Sequence, residues 1–384
     1  MDDALFWLAA FCLLVLLATL VEVGRGGRSL VFLRDVAPFS DAEMPSVSVV
    51  AAARNEARGI EAALRSVLAQ EGPEIEVIIV DDRSDDATPE ILERMAGENA
   101  RLKVIHVAEL PPKWLGKNHA LWVGAQAARG ELLLFTDADV VLAPDTLRRA
   151  AAHLARGGYA HVTAGPRVVM PGWLLQTFGV FFGLLFTLFS RPWRARDPRS
   201  IQHVGVGAFN LLPADVYRRI GTHRAIAMRP DDDMKLGKLV KKAGLSQDFV
   251  IGAGFISVEW YHSVREAVRG LRKNGFAGVD YRVSMVLFAT VSVLLLFVWP
   301  FVAVFVTGGW TRALYGGVVL IHLVMFGAMA REQGVRWWYG LTLPAAALLF
   351  LFVVWNAMLY ALLRGGIEWR GTHYPLDELR ANRV

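Results

Sequence analysis

Two carboxylates flank a single alanine in LLLFTDADV, residues 132–140, where an apolar run meets Thr136 and then Asp137-Ala138-Asp139. In extended backbone, side chains two residues apart point the same way, so Asp137 and Asp139 repel each other unless a cation joins them. A divalent ion with hard oxygen preference would offset that repulsion and keep coordination positions open for phosphate oxygens. The plain alternative is a strand end that happens to be polar, since Asp-x-Asp is a short pattern. Two other apolar runs end in the same manner. VSVVAAARNE carries Arg54, Asn55 and Glu56 just after Ala53, and EVIIVDDRSDDAT carries Asp81 and Asp82. A further acidic run, Asp231-Asp232-Asp233, precedes the basic helical pattern MKLGKLVKKA. One acidic residue suffices to cap a helix, and three in a row exceed that need.

The elements that must position these groups alternate. VSVVAAA, EVIIV, RLKVIHV and ELLLF read as strands, and IEAALRSVLAQ, TPEILERMAGE and GKNHALWVGAQAARG read as helices between them. Thr88 and Pro89 stand in the N-cap and first-turn places of the second helix. This β-α-β-α-β-α-β order predicts a mostly parallel sheet with helices on both faces. Ligands of such sheets bind off the carboxyl ends of strands, which is where all three polar clusters fall.

The rest of the chain is apolar. Of 384 residues 54% are hydrophobic and the mean hydropathy is +0.37, which predicts membrane-spanning segments. Residues 1–24 read as an N-terminal transmembrane helix, because Ala4 to Val23 carries almost no charge. An acidic start and the absence of a small-residue cleavage site argue against a signal peptide. Arg25, Arg28 and Arg34 follow, so the positive-inside rule puts the N-terminus outside and the next residues in the cytoplasm. Within 285–363 three more spans are expected, roughly Met285–Thr307, Ala313–Ala330 and Tyr339–Leu363, with tryptophans near their ends. Trp173–Phe189 is short and bounded by Pro171 and a basic stretch; it reads as a helix lying in the interface, with a buried core helix as the alternative. Residues 364–384 form a basic tail. Counting crossings puts the tail outside, whereas Arg364, Arg370, Arg380 and Arg383 argue for the inside. The net charge of +5 fits an anionic leaflet, and no interleaved basic-aromatic array calls for nucleic acid. Cys12, the one cysteine, has no internal partner.

Taken in order, VSVVAAARNE, VIIVDDRSDDAT, WLGKNHAL, LLLFTDADV and RPDDDMKLGKLVKKAG resemble the motifs of family 2 glycosyltransferases with the GT-A fold. The similarity is to the membrane-bound, lipid-glycosylating branch, which includes ceramide glucosyltransferases and hopanoid and carotenoid-acid glycosyltransferases. It covers residues 45–281. The resemblance implies that Asp82 meets the uracil of a UDP-sugar with support from Asp81, and that Ala53, Arg54, Asn55 and Glu56 wall the nucleotide pocket. It implies that Lys117 meets the nucleotide or its phosphates, and that Asp137 and Asp139 hold Mg²⁺ or Mn²⁺. The resemblance also implies that Asp232 and Asp233 form the acidic pair, with Asp233 as the general base. VGVGAFNLL resembles the acceptor-side segment, in which Gly205 and Gly207 would let backbone approach the sugar. One departure stands out: many relatives carry Gln/Arg-x-x-Arg-Trp ahead of the C-terminal spans, and here the stretch is EWYHSVREAVRGLRKNGFAG. Arg269, Arg272 and Lys273 could serve the leaving diphosphate there or could face anionic lipid.

The expected protein is therefore an integral membrane enzyme of the inner or cell membrane with a cytoplasmic catalytic domain. Its expected reaction is inverting, metal-dependent transfer of a sugar from a nucleotide-sugar donor to a lipid acceptor. A polysaccharide synthase is the enzymatic alternative. A transporter with an α/β regulatory module is the alternative of another class, disfavoured because the spans lack intramembrane Lys, Asp or Glu.

Overall fold

The computed structural model describes residues 2–72 and 74–384. Two compact units are present. One gathers Leu30–Arg167, Pro192–Glu259 and Glu368–Val384; the other holds the chain up to Ser29, Val168–Arg191 and Trp260–Ile367. The basic tail, which reads as a separate segment in the sequence, is thus from Glu368 onward a part of the first unit.

The elements run α1 (Asp2–Gly27), β1 (Val31–Phe32), β2 (Val47–Ala53), α2 (Ile60–Leu68), β3 (Ile75–Asp82), α3 (Thr88–Glu98), β4 (Leu102–Val107), α4 (Gly116–Ala127) and β5 (Leu132–Asp137). They continue with β6 (Val140–Leu142), α5 (Thr146–Gly157), β7 (His161–Gly165), β8 (Arg167–Val169), α6 (Gly172–Ser190), β9 (Asn210–Pro213), α7 (Ala214–Arg219), α8 (Asp232–Lys242) and β10 (Gln247–Ile251). An eight-stranded sheet has the order β1-β10-β7-β9-β5-β2-β3-β4. Only β9 runs antiparallel to its neighbours β5 and β7; the other pairs are parallel.

Alternation along the strands sorts the core into two faces. Val49, Ala51, Val77, Ile79 and Leu134 pack with the apolar stripes of α2 and α5. Those stripes, Ile60, Ala63, Leu64 and Val67 and then Leu147, Ala150, Ala151 and Leu154, are buried at helical spacing. On the opposite face Val50, Leu133 and Phe135 meet Leu121 of α4 and Leu236 and Val240 of α8. Each such side chain contributes about 1.5–3 kcal/mol by leaving water. The Thr88 hydroxyl does not cap α3: Ala87 takes the cap place, and Thr88 Oγ1 accepts the Glu56 N–H at 2.8 Å. That bond ties the end of β2 to the turn after β3.

The second unit is helical. After β11 (Ile256–Glu259) come α9 (Val264–Gly270), α10 (Arg272–Gly275), α11 (Val283–Val293), a π-helical turn at Leu294–Val298, α12 (Trp299–Val306), α13 (Gly309–Gln333) and α14 (Leu343–Leu363). The π turn is followed by Pro300, which offers no N–H to a regular ladder. Among the described residues, five helices are long and apolar enough to cross a membrane: Asp3–Gly27, Gly172–Arg194, Val283–Val306, Gly309–Gln333 and Trp337–Leu363. Many of their large apolar side chains, among them Trp7, Phe288, Phe305, Leu320, Phe352 and Leu363, are exposed, as a lipid-facing surface requires. Cys12 is buried and unpaired.

One close approach sets the position of α8. A Cβ on Gly237 would fall 2.1 Å from the Val204 carbonyl oxygen. Gln247 ties the same two strands of chain, accepting the Val204 N–H at 2.6 Å and donating to the Gly237 carbonyl at 2.8 Å. We predict that Gly237→Ala lowers stability by about 1–3 kcal/mol through overpacking, read as a lower thermal midpoint of the purified chain; an unchanged midpoint would show that α8 can move away freely.

Candidate active site

Parallel pairing in register brings the three polar strand ends to one edge. Ala53 lies opposite Asp81, and Ala52 lies opposite Asp137. The loop after β2 and the turn after β3 are then knitted together: Asn55 Oδ1 accepts the Asp85 N–H at 2.9 Å, the Asn55 N–H donates to Ser84 Oγ at 3.0 Å, and the Ala57 N–H donates to Asp86 Oδ2 at 3.2 Å. Asn55 and Arg83 both adopt left-handed backbone, with φ of 56° and 59°, the sharp turns this knot needs.

The two carboxylates of VDD have different surroundings. Asp81 faces inward, accepting the Ser84 N–H at 3.2 Å and meeting His106 Nδ1 at 2.9 Å. That hydrogen bond, with a second to the Glu93 carboxylate, holds the His106 pKa above its ordinary value. Asp82 is buried and accepts from the Arg83 guanidinium at 2.8 and 3.2 Å, with Arg54 Nη1 at 3.6 Å. A carboxylate has about four lone-pair sites, so Asp82 retains acceptor capacity for a ligand N–H. Gly116, at the start of α4, makes room for it: a Cβ there would strike Asp82 Oδ2 at 2.1 Å.

Lys117 joins the β5 end to α8. Its Nζ lies 2.8 Å from Asp137 Oδ1 and 3.3 Å from Asp232 Oδ2. Burial opposes its charge, but Asp137, Asp232 and Asp233 outweigh burial and hold the ammonium more firmly protonated than an ordinary lysine. Lys117 therefore meets the site's own carboxylates as they stand here. Asp139 is pushed up to about 7 by burial first, then by Asp137 and Glu56, and its Oδ1 has no hydrogen-bond partner among the described residues.

In the acidic run, each aspartate has its own partners. Asp231 is held by Arg229 at 2.8 and 2.9 Å and lies 3.4 Å from Lys235; it occupies the cap place of α8 without a side-chain cap bond. Asp232 takes Lys117. Asp233 accepts the Gly207 N–H at 2.8 Å and the Met234 N–H at 2.7 Å. Burial, followed by the Asp232 carboxylate, pushes it up to about 7.

The two glycines expected to approach a sugar also lie close to the site's own groups. A Cβ on Gly205 would meet the Asp233 carbonyl oxygen at 1.9 Å, and one on Gly207 would meet Asp137 Oδ2 at 2.6 Å. Ala53 through Glu56, Asp81, Asp82, Lys117, Asp137, Asp139, Gly205, Gly207, Asp232 and Asp233 all belong to the sheet unit. Arg269 and Lys273 do not: they sit on α9 and α10 of the helical unit. Sequence reading missed Asn118, whose buried amide donates to the carbonyls of Ile226, Ala227 and Arg229 at 2.8–3.1 Å, and so fixes the loop ahead of the acidic run. It also missed Arg83 and Arg229. Their signal, a basic residue within two positions of a carboxylate, is too common to single out.

The set of groups fits a divalent cation at Asp137 and Asp139, since Asp139 Oδ1 is a buried oxygen without a partner and carboxylate oxygens are the ligands hard cations take.

A mostly parallel sheet with helices on both faces, a reversed β9 and this acidic carboxyl edge define a GT-A-like α/β fold. The solved structure titled mannosyltransferase PcManGT from Pyrobaculum calidifontis, in complex with GDP-Man and Mn2+, superposes with a TM-score of 0.53 at 21% identity, over 91% of this chain and 99% of that one. Residues 48–220 match the family described as Glycosyl transferase family 2, and the chain carries a domain of that family. A 4,4'-diaponeurosporenoate glycosyltransferase of Staphylococcus haemolyticus (strain JCSC1435) is 25% identical over 222 residues, 57% of each chain. Succinoglycan biosynthesis protein ExoO of Rhizobium meliloti (strain 1021) is 38% identical over 107 residues, 28% of this chain and 29% of that one. The chain thus spans little more than half the length of the first of these relatives.

Proposed function

We propose that this protein transfers a sugar from a nucleotide-sugar donor, a UDP-sugar in our reading, to a lipid acceptor, with inversion and with Mg²⁺ or Mn²⁺. The observation that carries the proposal is the carboxyl edge itself, where Asp137, Asp139, Asp232 and Asp233 gather about Lys117 and Asp82 stands at the end of β3 beside Arg54 and Arg83. The donor's base would take the spare acceptor positions of Asp82. Asp137 and Asp139 would hold the divalent ion, which when bound neutralises charge on the departing diphosphate. Lys117, already between Asp137 and Asp232, would turn to the phosphates as the donor enters. The acceptor hydroxyl attacks the anomeric carbon from the face opposite the leaving group, and Asp233 takes its proton as the new bond forms and the nucleoside diphosphate departs. A carboxyl with a pKa near 7 is a stronger base than an exposed aspartate and is still ionised at neutral pH in good part. The lipid acceptor is supported by the exposed apolar helices and by a relative named for an apolar acid acceptor.

Membrane placement follows from chain connectivity. β7 precedes α6 and β10 follows it, yet the two strands pair residue for residue from His161–Gln247 to Gly165–Ile251. One compact unit cannot lie on both sides of a bilayer, so on this reading α6 enters and leaves on one side, as an interfacial helix. The same reasoning covers Glu368–Val384, which also belong to the sheet unit: the helices between must cross an even number of times. Within the helical unit, the Gln333 side chain at the end of α13 accepts the Val168 N–H at 2.8 Å, one residue from the sheet unit. We therefore assign Val283–Val306 and Gly309–Gln333 as crossings and Trp337–Leu363 as a helix that does not cross. Arg25, Arg28 and Arg34 beside α1 and the four tail arginines support a cytoplasmic sheet unit and tail.

Lipid extracts from a host making the chain should contain a glycosylated lipid that is missing with Asp139→Ala, and chelation by EDTA should stop transfer by the purified protein. Full transfer in EDTA would remove the metal from the proposal. Asp233→Asn should lower turnover by about 10²–10⁴-fold while nucleotide affinity holds. In the unmutated chain Asp233 must be ionised to act, and burial and the Asp232 carboxylate hold its pKa above that of an ordinary aspartate, so turnover should fall as pH is lowered and level off above; an acid limb unchanged in Asp233→Asn would exclude that base. Asp231→Asn should instead act on stability, because it disturbs the partner of the buried Arg229. For topology, in a Cys12→Ala background Gly308→Cys should react with a membrane-impermeant thiol reagent on intact cells and Gly334→Cys should not. The reverse pattern would overturn the assignment.

A further inference from the structure

The tail from Glu368 to Val384 makes polar contacts with three separate pieces of the proposed donor site. The Arg370 guanidinium pairs with the Glu56 carboxylate and donates to the Asn55 carbonyl at 3.3 Å. Arg370 and Gly371 both have positive φ, 51° and 76°, so a tight turn holds the arginine out from the strand. Four residues on, the buried Tyr374 hydroxyl accepts the Gly116 N–H at 3.2 Å and interacts with Arg83, the partner of Asp82. Near the end, Asn382 accepts the Met228 N–H at 2.9 Å and donates to the Ala225 carbonyl at 3.1 Å, gripping the loop that leads to Asp231–Asp233.

These are contacts with the residues that border the proposed donor site. Asn55 and Glu56 close the β2 end, Gly116 is the residue whose missing side chain leaves room for Asp82, and the 225–228 loop is the one Asn118 holds from beneath. A tail serving only to bury apolar surface would need none of them, since Leu376 and Leu379 already do that.

We infer that residues 368–384 form a strap that completes the outer wall of the nucleoside-diphosphate subsite, with Arg370 and Tyr374 as positioning residues for the donor. The inference rests on the donor reading given above. Arg370 offsets the charge of Glu56 at an edge already crowded with carboxylates, where an anionic donor must enter. Tyr374 occupies a free N–H of the first turn of α4 and holds Arg83 beside Asp82, so that the carboxylate's remaining acceptor positions face the pocket.

The test titrates the full chain, purified in detergent with Mg²⁺, with UDP and separately with GDP. Tyr374→Phe keeps the ring and removes the acceptor of one N–H; it should weaken nucleotide binding roughly three- to ten-fold. Arg370→Ala should weaken it on the order of ten-fold, by a factor that shrinks as salt is raised. Adding Glu56→Gln to Arg370→Ala should restore most of the loss, because the uncompensated charge is then gone. Purely structural damage would lower the nucleotide-free thermal midpoint and would not be relieved by Glu56→Gln. Wild-type affinity in both single variants, or no rescue in the double variant, overturns the strap. If the unmutated chain binds neither nucleotide, the donor reading itself falls and the strap with it.

Discussion

Lys117 is the group on which the site depends. Its ammonium lies between Asp137 from the end of β5 and Asp232 from the start of α8, and Asp139 and Asp233 add further acidic groups to the same edge. Like charges at a few ångströms in a poorly solvated place oppose one another by several kcal/mol, so an acidic edge of this kind cannot persist on packing alone. One buried cation between two of the carboxylates reduces the repulsion, while Asp139 and Asp233 relieve the rest by moving up toward neutrality. A site balanced in this way would accept a metal ion or a proton, because each would replace part of what Lys117 now supplies.

Close backbone approach is what makes the convergence possible. The 204–207 segment runs hard against α8, with Gly205 over the Asp233 carbonyl and Gly237 under Val204. Gly207 leaves space for the Asp137 carboxylate and points its N–H at Asp233. Gly116 does the same for Asp82. At all four positions there is no room for a Cβ: Gly116 and Gly207 lie against carboxylates and Gly205 and Gly237 against backbone carbonyls, with no special backbone dihedral required.

If the long apolar helices enter a membrane, as proposed, a second constraint applies. A sheet whose strands lie on either side of α6 in sequence must stay on one side of a bilayer, so connectivity limits which apolar helices can cross. Length and hydropathy treat all five helices alike; hydrogen bonding between distant strands distinguishes them.

Much of this was determined by the sequence alone. Strand-helix alternation, the apolar runs ending in Asp81-Asp82 and Asp137-Ala138-Asp139, and the long apolar stretches are local patterns, set by side-chain period and by solvation, and each survives without knowledge of its neighbours. Which groups meet was decided by tertiary structure. Register put Ala52 beside Asp137 and Ala53 beside Asp81; the docking of α4 against α8 carried Lys117 to Asp232; and the return of the last residues brought Arg370 to Glu56 and Tyr374 to Gly116. Contacts between residues some 260 to 310 positions apart leave no periodic trace in a single chain, because they are selected by the shape and charge of surfaces that exist only once the sheet has formed.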